Sequence, residues 1–555
     1  MKRKFLWICI LLSAVGCLDD KSNYDYRDIN DFENWNSKGV SNIQNEYTLY
    51  LGESQLFEPR VHFSIDTLNP DATCAWYLGE TKEMLKLSDT KDYTYTADKV
   101  GACNLVFTAT DNKTGITFSK NIVVTVVPAW KNGWLVLSKS ASGESELSII
   151  LSKKKTKIVV GEDGKEQSVD TVVYVGTDMN VTPNLGRRPR KLVENFHFSS
   201  YTDLEVEDEV MLLYDGGCIE LDGNLLQPVG SVEEEFLDGL PANFDPQDAV
   251  LSWCGKWLLN SDNYVYSAVM SVATDLHSGR YLSEPAFNKK KVKELLPYMK
   301  GSGARYDCAN FFLGIGEDNT FFGVRDDGNP GGYYNGNFSI NADNYIGSLV
   351  ELNDRVPDGG DFSFFKNIDG EYIFHAWAGQ ATRYDPLVYL SILNRSGNYY
   401  WSYYSINAEN SNYRPGQKIE LEEHQFGLLD AGVMADYQCA TLLPWKNLLV
   451  VASGNKLYGF DYYSANKGNV QFVNAPTFNS EIVHMAVRDY VRDIHNAHIA
   501  IALKSGEVYV YEVAYDVEMK QAQLVELYHK EGFGEIVDLI CKFGSGANPG
   551  AYNPY

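Results

Sequence analysis

The densest aromatic run in this 555-residue chain is Asn398-Tyr-Tyr-Trp-Ser-Tyr-Tyr404, with His375-Ala-Trp377 a short way upstream. On an extended strand, side chains alternate between faces, so Tyr399, Trp401 and Tyr403 share one side and Tyr400 and Tyr404 the other. Aromatic rings with polar edges stack on sugar rings or grip peptide side chains, which makes Trp377, Tyr399, Trp401 and Tyr403 candidate ligand-binding residues. A second candidate surface is Asp326-Asp-Gly-Asn-Pro-Gly-Gly-Tyr-Tyr-Asn-Gly-Asn337. It is too polar and glycine-rich for a strand and reads as an exposed loop presenting Tyr333 and Tyr334. Each segment has a plain alternative: burial of an aromatic face in a core, and a connecting loop that binds nothing.

Catalytic patterns are missing from the sequence. There is no His-Glu-x-x-His, no Gly-x-Ser-x-Gly, and no Walker or dinucleotide glycine motif. Gly301-Ser-Gly303 and Gly544-Ser-Gly546 are turn chemistry. His495 and His498 stand three apart, but no cysteine or carboxylate accompanies them at metal-ligand spacing. Asp326-Asp327 could serve a glycosidase, which needs two carboxylates about 5 to 10 Å apart. With 74 acidic residues, adjacent acids arise readily by chance. No spacing matches a full EF-hand, and a structural calcium in a loop stays open. No catalytic residue, metal ligand or cofactor is therefore assigned.

The amino terminus carries chemistry of another kind. Lys2, Arg3 and Lys4 precede an apolar run from Phe5 to Val15, interrupted only by Ser13, and small residues Ala14 and Gly16 lead to Cys17. That is a secretory signal. About 11 apolar residues are too few to span a hydrocarbon layer that needs about 20. The segment resembles a bacterial lipobox, which implies that residues 1–16 are removed and that Cys17 is lipidated. An ordinary signal cleaved nearby, with Cys17 incidental, is the alternative. Acyl chains on one residue anchor a protein without a spanning helix. Asp19 and Asp20 resemble the surface-export signal of Bacteroidota lipoproteins, which implies a location on the outer membrane facing the exterior.

Composition narrows the class. The formal charge is −26, and loss of Lys2, Arg3 and Lys4 takes it to −29. Such a surface argues against nucleic acid and favours cationic ligands. Aromatics form 13% of the chain, led by 37 tyrosines, which suits strands joined by tight turns. Of nine cysteines, Cys9 and Cys17 belong to the signal and anchor. The remaining seven are odd in number and widely spread, so they build no disulfide framework. Cys74 and Cys103 either pair or are buried thiols.

These residues must be positioned by elements, and the expected class is all-β. Residues 17–40 form a lipidated cysteine and polar tether, including Asn23-Tyr-Asp-Tyr-Arg-Asp-Ile-Asn30. Residues 41–128 hold about seven short strands, including Cys74-Ala-Trp-Tyr77, Asn104–Asp111 and Ile116–Val126 around the turn Asn112–Gly115. That pattern predicts a sandwich. Trp76 and Tyr95–Gly115 resemble the PKD family of immunoglobulin-like domains, which implies a spacer or docking module.

Residues 129–546 repeat one device seven times: an apolar strand, a Gly/Asn/Asp turn and a second strand. The turns are Ser142-Gly143, Asp215-Gly-Gly217, Ser261-Asp-Asn263, Glu317-Asp-Asn319, Arg395-Ser-Gly397, Ser453-Gly-Asn455 and Lys504-Ser-Gly506. This predicts a β-propeller of seven blades, with six or eight as alternatives, followed by a tail at 547–555. Lys289–Met299 is a candidate short helix. Closure should pair Trp134–Ser138 with Ile536–Cys541.

Lipobox, tether, PKD-like module and β-rich remainder together resemble the PKD-like surface lipoproteins of Bacteroidota. That resemblance implies partnership with a SusC-like TonB-dependent transporter and a SusD-like lipoprotein in nutrient uptake. Two functions compete: a non-catalytic accessory protein capturing peptide or oligosaccharide, and a surface propeller enzyme acting as a glycan hydrolase or lyase.

Overall fold

The computed structural model describes residues 39–542 apart from 66–68, 80–83, 128–129, 131, 161–165, 197–207, 224, 252–254, 270–279, 297–310, 326–347, 353–361, 380–386, 407–417, 420, 464–466 and 490–496. Two compact units divide the chain, Met1–Pro128 and Ala129–Tyr555.

In the first unit, Thr117–Val127 alternates so that Ile122, Val124 and Val126 are buried while Asn121, Val123 and Thr125 are exposed. It is the second strand of a five-stranded sheet ordered Glu46–Tyr50, Thr117–Val127, Gly101–Asp111, Ala72–Leu78, Leu85–Ser88. Ser54–Phe57 pairs with Tyr93–Thr96 in a separate sheet. Trp76 is fully buried among Phe57, Tyr93 and Phe107, and its indole N–H donates to the Lys91 carbonyl at 3.0 Å. The turn after Asp111 is held by its carboxylate, which accepts from Lys113 N–H at 3.0 Å and Thr114 Oγ1 at 2.7 Å. Cys74 and Cys103 are free thiols, and burial pushes the Cys74 thiol up.

The second unit is a β-propeller of seven blades, each built on four antiparallel strands. The outer strands of blades six and seven, Gly468–Val473 and Gln521–Glu531, pair in parallel and join the two into one eight-stranded sheet. Each of the seven hairpins read in the sequence forms the two middle strands of a blade. The innermost strands of blades two to seven are Pro189–Phe196, Pro246–Leu251, Val292–Leu295, Glu371–Gly379, Tyr437–Leu443 and Ile482–Arg488. Blade one is built from both ends of the domain: Gly133–Lys139, Ser145–Val160 and Glu166–Thr182 take Glu535–Lys542 as their innermost strand. The pairing is antiparallel, with Trp134 opposite Cys541 and Val136 opposite Leu539. This is the expected closure, and it leaves no open edge at the seam.

Apolar clusters between adjacent blades complete the ring. Leu137 and Ile149 pack with Leu192 and Leu212 between blades one and two, and Trp257 meets Phe312 between three and four. Further clusters fill the remaining gaps, ending with Trp134, Ala500 and Val508 between blades seven and one. The turn of blade seven needs glycine: Gly506 has φ +81°, and a Cβ there would stand 2.2 Å from the Phe533 carbonyl oxygen.

The helix expected at Lys289–Met299 is not formed; Val292–Leu295 is a strand, and residues 297–299 lie outside the described residues. A bulge explains the misreading. It inserts one residue, so Val292 and Leu295 are both buried at a spacing of three, which imitates a helical face.

Candidate functional site: an ionisable layer around the propeller axis

Every innermost strand slips by one residue near its start. The ladder jumps from Pro189 to Lys191, Pro246 to Asp248, Val292 to Glu294, Tyr372 to Phe374, Tyr437 to Cys439 and Ile482 to His484, and in the closing strand from Ile536 to Asp538. A bulge re-aims the side chain beside it and releases ladder groups for other partners. The sevenfold repeat therefore places Lys191, Asp248, Glu294, Phe374, Cys439, His484 and Asp538 at equivalent positions on the strands nearest the axis. Five of the seven are ionisable side chains of Lys, Asp, Glu and His.

They connect across blades. The Lys191 ammonium donates to Asp248 of the next blade. Asp538 Oδ1 pairs with His484 Nε2 at 2.9 Å, and its Oδ2 accepts the Leu192 N–H at 2.7 Å. Glu294 Oε1 stands 3.6 Å from Nε2 of His375, a residue of the next blade. His375 Nδ1 bonds Ser391 Oγ at 2.7 Å, and Tyr404 OH lies 3.3 Å from the same oxygen. The layer is only partly covered by protein: side-chain exposure is 39% for Lys191, 36% for Glu294 and 34% for His484. Asp538 and His375 are buried at 9% and 2%.

Charge in this layer is tuned by burial and by neighbours. Burial pushes the Asp538 carboxyl up, but the His484 bond and charge, the Leu192 amide and Lys191 outweigh it and hold the group below its ordinary value. Burial acts to lower Lys191, and Asp248, Asp538 and Glu294 reverse that and raise it. Glu294 is pushed up to about 7 by burial and the Asp248 charge, against the pull of Lys191 and Lys293. Burial alone drops His375 to about 3, so its imidazole is neutral at physiological pH. Perturbed groups gathered in a cleft mark functional sites more often than chance.

The aromatic candidates sit elsewhere. Trp377 is buried between blades four and five with Tyr372 and Tyr389. Trp401 and Tyr403 are buried between blades five and six, 5.5 Å from Phe460 and 5.4 Å from Tyr462, and half-buried Tyr399 packs on that cluster. Their rings are used for inter-blade packing, and Trp377 does not join the other three. Tyr404, assigned to the opposite face of the same strand, is the one member of the run that reaches the axial layer. Tyr333, Tyr334, Asp326, Asp327, His495 and Cys17 lie outside the described residues. His498 is buried in a strand and bonds Tyr174 OH at 2.8 Å. Among the described residues, no group of three or more His, Cys, Asp or Glu side chains is placed to hold a metal ion.

Residues 17–177 match the family model described as the PKD-like family, a span that begins at Cys17 and runs into blade one. Among curated protein sequences none matches the chain. Similar solved structures include a quinoprotein alcohol dehydrogenase-like protein from Bacteroides thetaiotaomicron, 10% identical over 90% of this chain and 97% of that one, TM-score 0.36. Kluyveromyces lactis Hsv2 is 10% identical over 72% of this chain and 99% of its own, TM-score 0.35. Chaetomium thermophilum Sqt1, solved bound to the N-terminus of ribosomal protein L10, is 11% identical over 60% and 73%, TM-score 0.32.

Proposed function

We propose that this protein is a lipid-anchored outer-membrane lipoprotein facing the exterior, which captures peptide or oligosaccharide as an accessory of a SusC/SusD-like uptake complex. The observation that carries the binding part is the axial layer: seven strands converge there and five deliver ionisable side chains, of which Lys191, Glu294 and His484 are partly exposed. Such a layer offers a ligand a carboxylate, an ammonium and an imidazole at fixed positions, which is what affinity and orientation require. The lipobox and tether supply the anchor, and a PKD-like match starting at Cys17 supports reading that cysteine as the first residue of the mature protein. Tethering partners at one membrane raises their effective concentration, so modest contacts suffice to hold an assembly.

One observation favours the enzyme reading: Glu294, pushed up to about 7, has the poise of a general acid or base. Exposing the intact protein to mixed glycans and peptides, and assaying both retention and turnover, separates the two. Retention without turnover is the expected outcome. Turnover abolished by Glu294→Gln would establish the enzyme.

A further inference from the structure

We propose that a two-stranded ribbon on blade one is a docking site for a linear acidic glycan, a sulfated or uronate-bearing chain lying along one row of lysines. The surface is separate from the axial layer and goes beyond the reading above, from which it takes only the location outside the cell.

Lys153-Lys-Lys-Thr-Lys157 sets four lysines in five residues of a chain whose formal charge is −26. No acid occurs between Ser152 and Val160. Short lysine-rich runs of this kind bind polyanions. The fold gives this one a defined shape. Gly133–Lys139 pairs with Ser145–Val160 only as far as Leu151. Beyond it, Ser145–Val160 and Glu166–Thr182 pair with each other and with no third strand among the described residues. Eight successive pairs follow, from Lys153 opposite Val173 to Val160 opposite Glu166. Eight residues of strand reach about 27 Å. Two strands alone are marginally stable in water, so this extension adds little to the stability of the propeller.

Register sorts the charges. Lys153, Lys155 and Lys157 share one face with Val173, Thr171 and Val169, which makes a row of three cations without an acid. The other face takes Lys154 together with Asp170 and Glu166. At the foot of the ribbon that second face is the covered one. Val172 is 4% exposed there, and Tyr174 packs on Trp134, His498 and Tyr528. The row of three is on the opposite face, with a step of about 7 Å between successive lysines.

Charge complementarity selects an anion, and the linear array selects a narrow one. At physiological salt a charge is screened beyond about 8 Å, so a single chain along the ribbon meets the lysines and little else. A membrane or a nucleic-acid duplex is broad and meets the acidic remainder of the surface. Single-stranded nucleic acid is held chiefly by bases stacked on aromatic rings, and residues 152–173 include none. A flexible acidic peptide loses more freedom on binding than a stiff pyranose chain does.

The test uses the mature chain with Cys17→Ala, so that no acyl group can enter a bilayer. Heparin hexasaccharide, cellohexaose, hexaglutamate and phosphatidylglycerol vesicles are titrated at 50 mM and 200 mM salt. Expected is binding of the heparin hexasaccharide alone, weaker by about tenfold or more at the higher salt. Lys155→Gln should cost about fivefold and its neighbour Lys154→Gln less than about twofold. Replacing Lys153, Lys155 and Lys157 together with Gln should cost about tenfold or more. Melting temperatures report folding, and the two single variants decide the matter if the triple variant fails to fold. Equal losses in Lys155→Gln and Lys154→Gln overturn the site, as does a folded triple variant of unchanged affinity. Hexaglutamate, vesicles or cellohexaose bound as tightly as heparin overturns it too, and so does retention of none of the four. The capture reading stands apart from these outcomes and is decided by the mixed screen.

Discussion

Asp538 accepts the backbone N–H of Leu192 at 2.7 Å, joining the last strand of the chain to blade two across 346 residues of sequence. The same carboxylate takes His484 of blade seven, so one side chain fastens the seam on both sides. Replacing it with alanine strands a buried N–H and should cost about 1.5–3 kcal/mol in the propeller's unfolding transition. Because the folded carboxyl is held below its ordinary value, its stabilisation is complete above the ordinary carboxylate range and disappears as pH falls through the folded value. Denaturation as pH falls below about 4 should therefore show a shallower loss in Asp538→Asn than in the wild type. Parallel pH profiles would contradict this role.

Closure by the C-terminal strand gives a second expectation. Removing residues from Glu535 onward takes the innermost strand from blade one and exposes the edge of Gly133–Lys139. Calorimetry should show the propeller transition lost and the transition of the first unit kept. Survival of both at unchanged temperatures would mean that the pairing contributes little.

Lys256 is fully buried and bonds Glu220 and Glu235, each at 2.6 Å. Burial and the Glu220 charge raise the Glu235 carboxyl, so the cluster stores a proton that keeps it near neutrality. Lys256→Met leaves two acids facing each other in the core and should cost about 3–5 kcal/mol. Replacing all three with Met, Leu and Leu should recover most of that loss, because a buried ionic cluster gains little over apolar packing. A triple variant as unstable as the single one would refute the assignment.

Lipidation at Cys17 predicts that Cys17→Ala leaves the membrane fraction that detergent extracts. Fractionation followed by immunoblotting reads this directly, and a variant anchored at the wild-type level would rule out the lipobox reading.

Much of the architecture is legible in the sequence because turns have chemistry. Ser453-Gly-Asn455 and Lys504-Ser-Gly506 mark hairpins whose strands form as read. Closure follows because a ring of sheets must pair its ends, and Trp134 and Cys541 are register partners. The axial layer was not legible, since strict alternation has no place for a bulge, and Lys191, Asp248 and Glu294 sit where the alternation breaks. A signal exists in Ile482-Val-His-Met485 and Ile536-Val-Asp-Leu539, where an ionisable residue interrupts an apolar run at the same offset in two blades. The aromatic run misleads for a simpler reason: in a propeller both faces of a blade meet neighbours, so Trp401 and Tyr403 have no solvent side to turn to.

Isolation from the native membrane tests most directly whether this chain works as a binding protein within an uptake complex. Tagged protein extracted in mild detergent should bring a SusC-like transporter and a SusD-like lipoprotein at near-stoichiometric amounts. Recovery of the chain alone, with neither partner, would contradict the account.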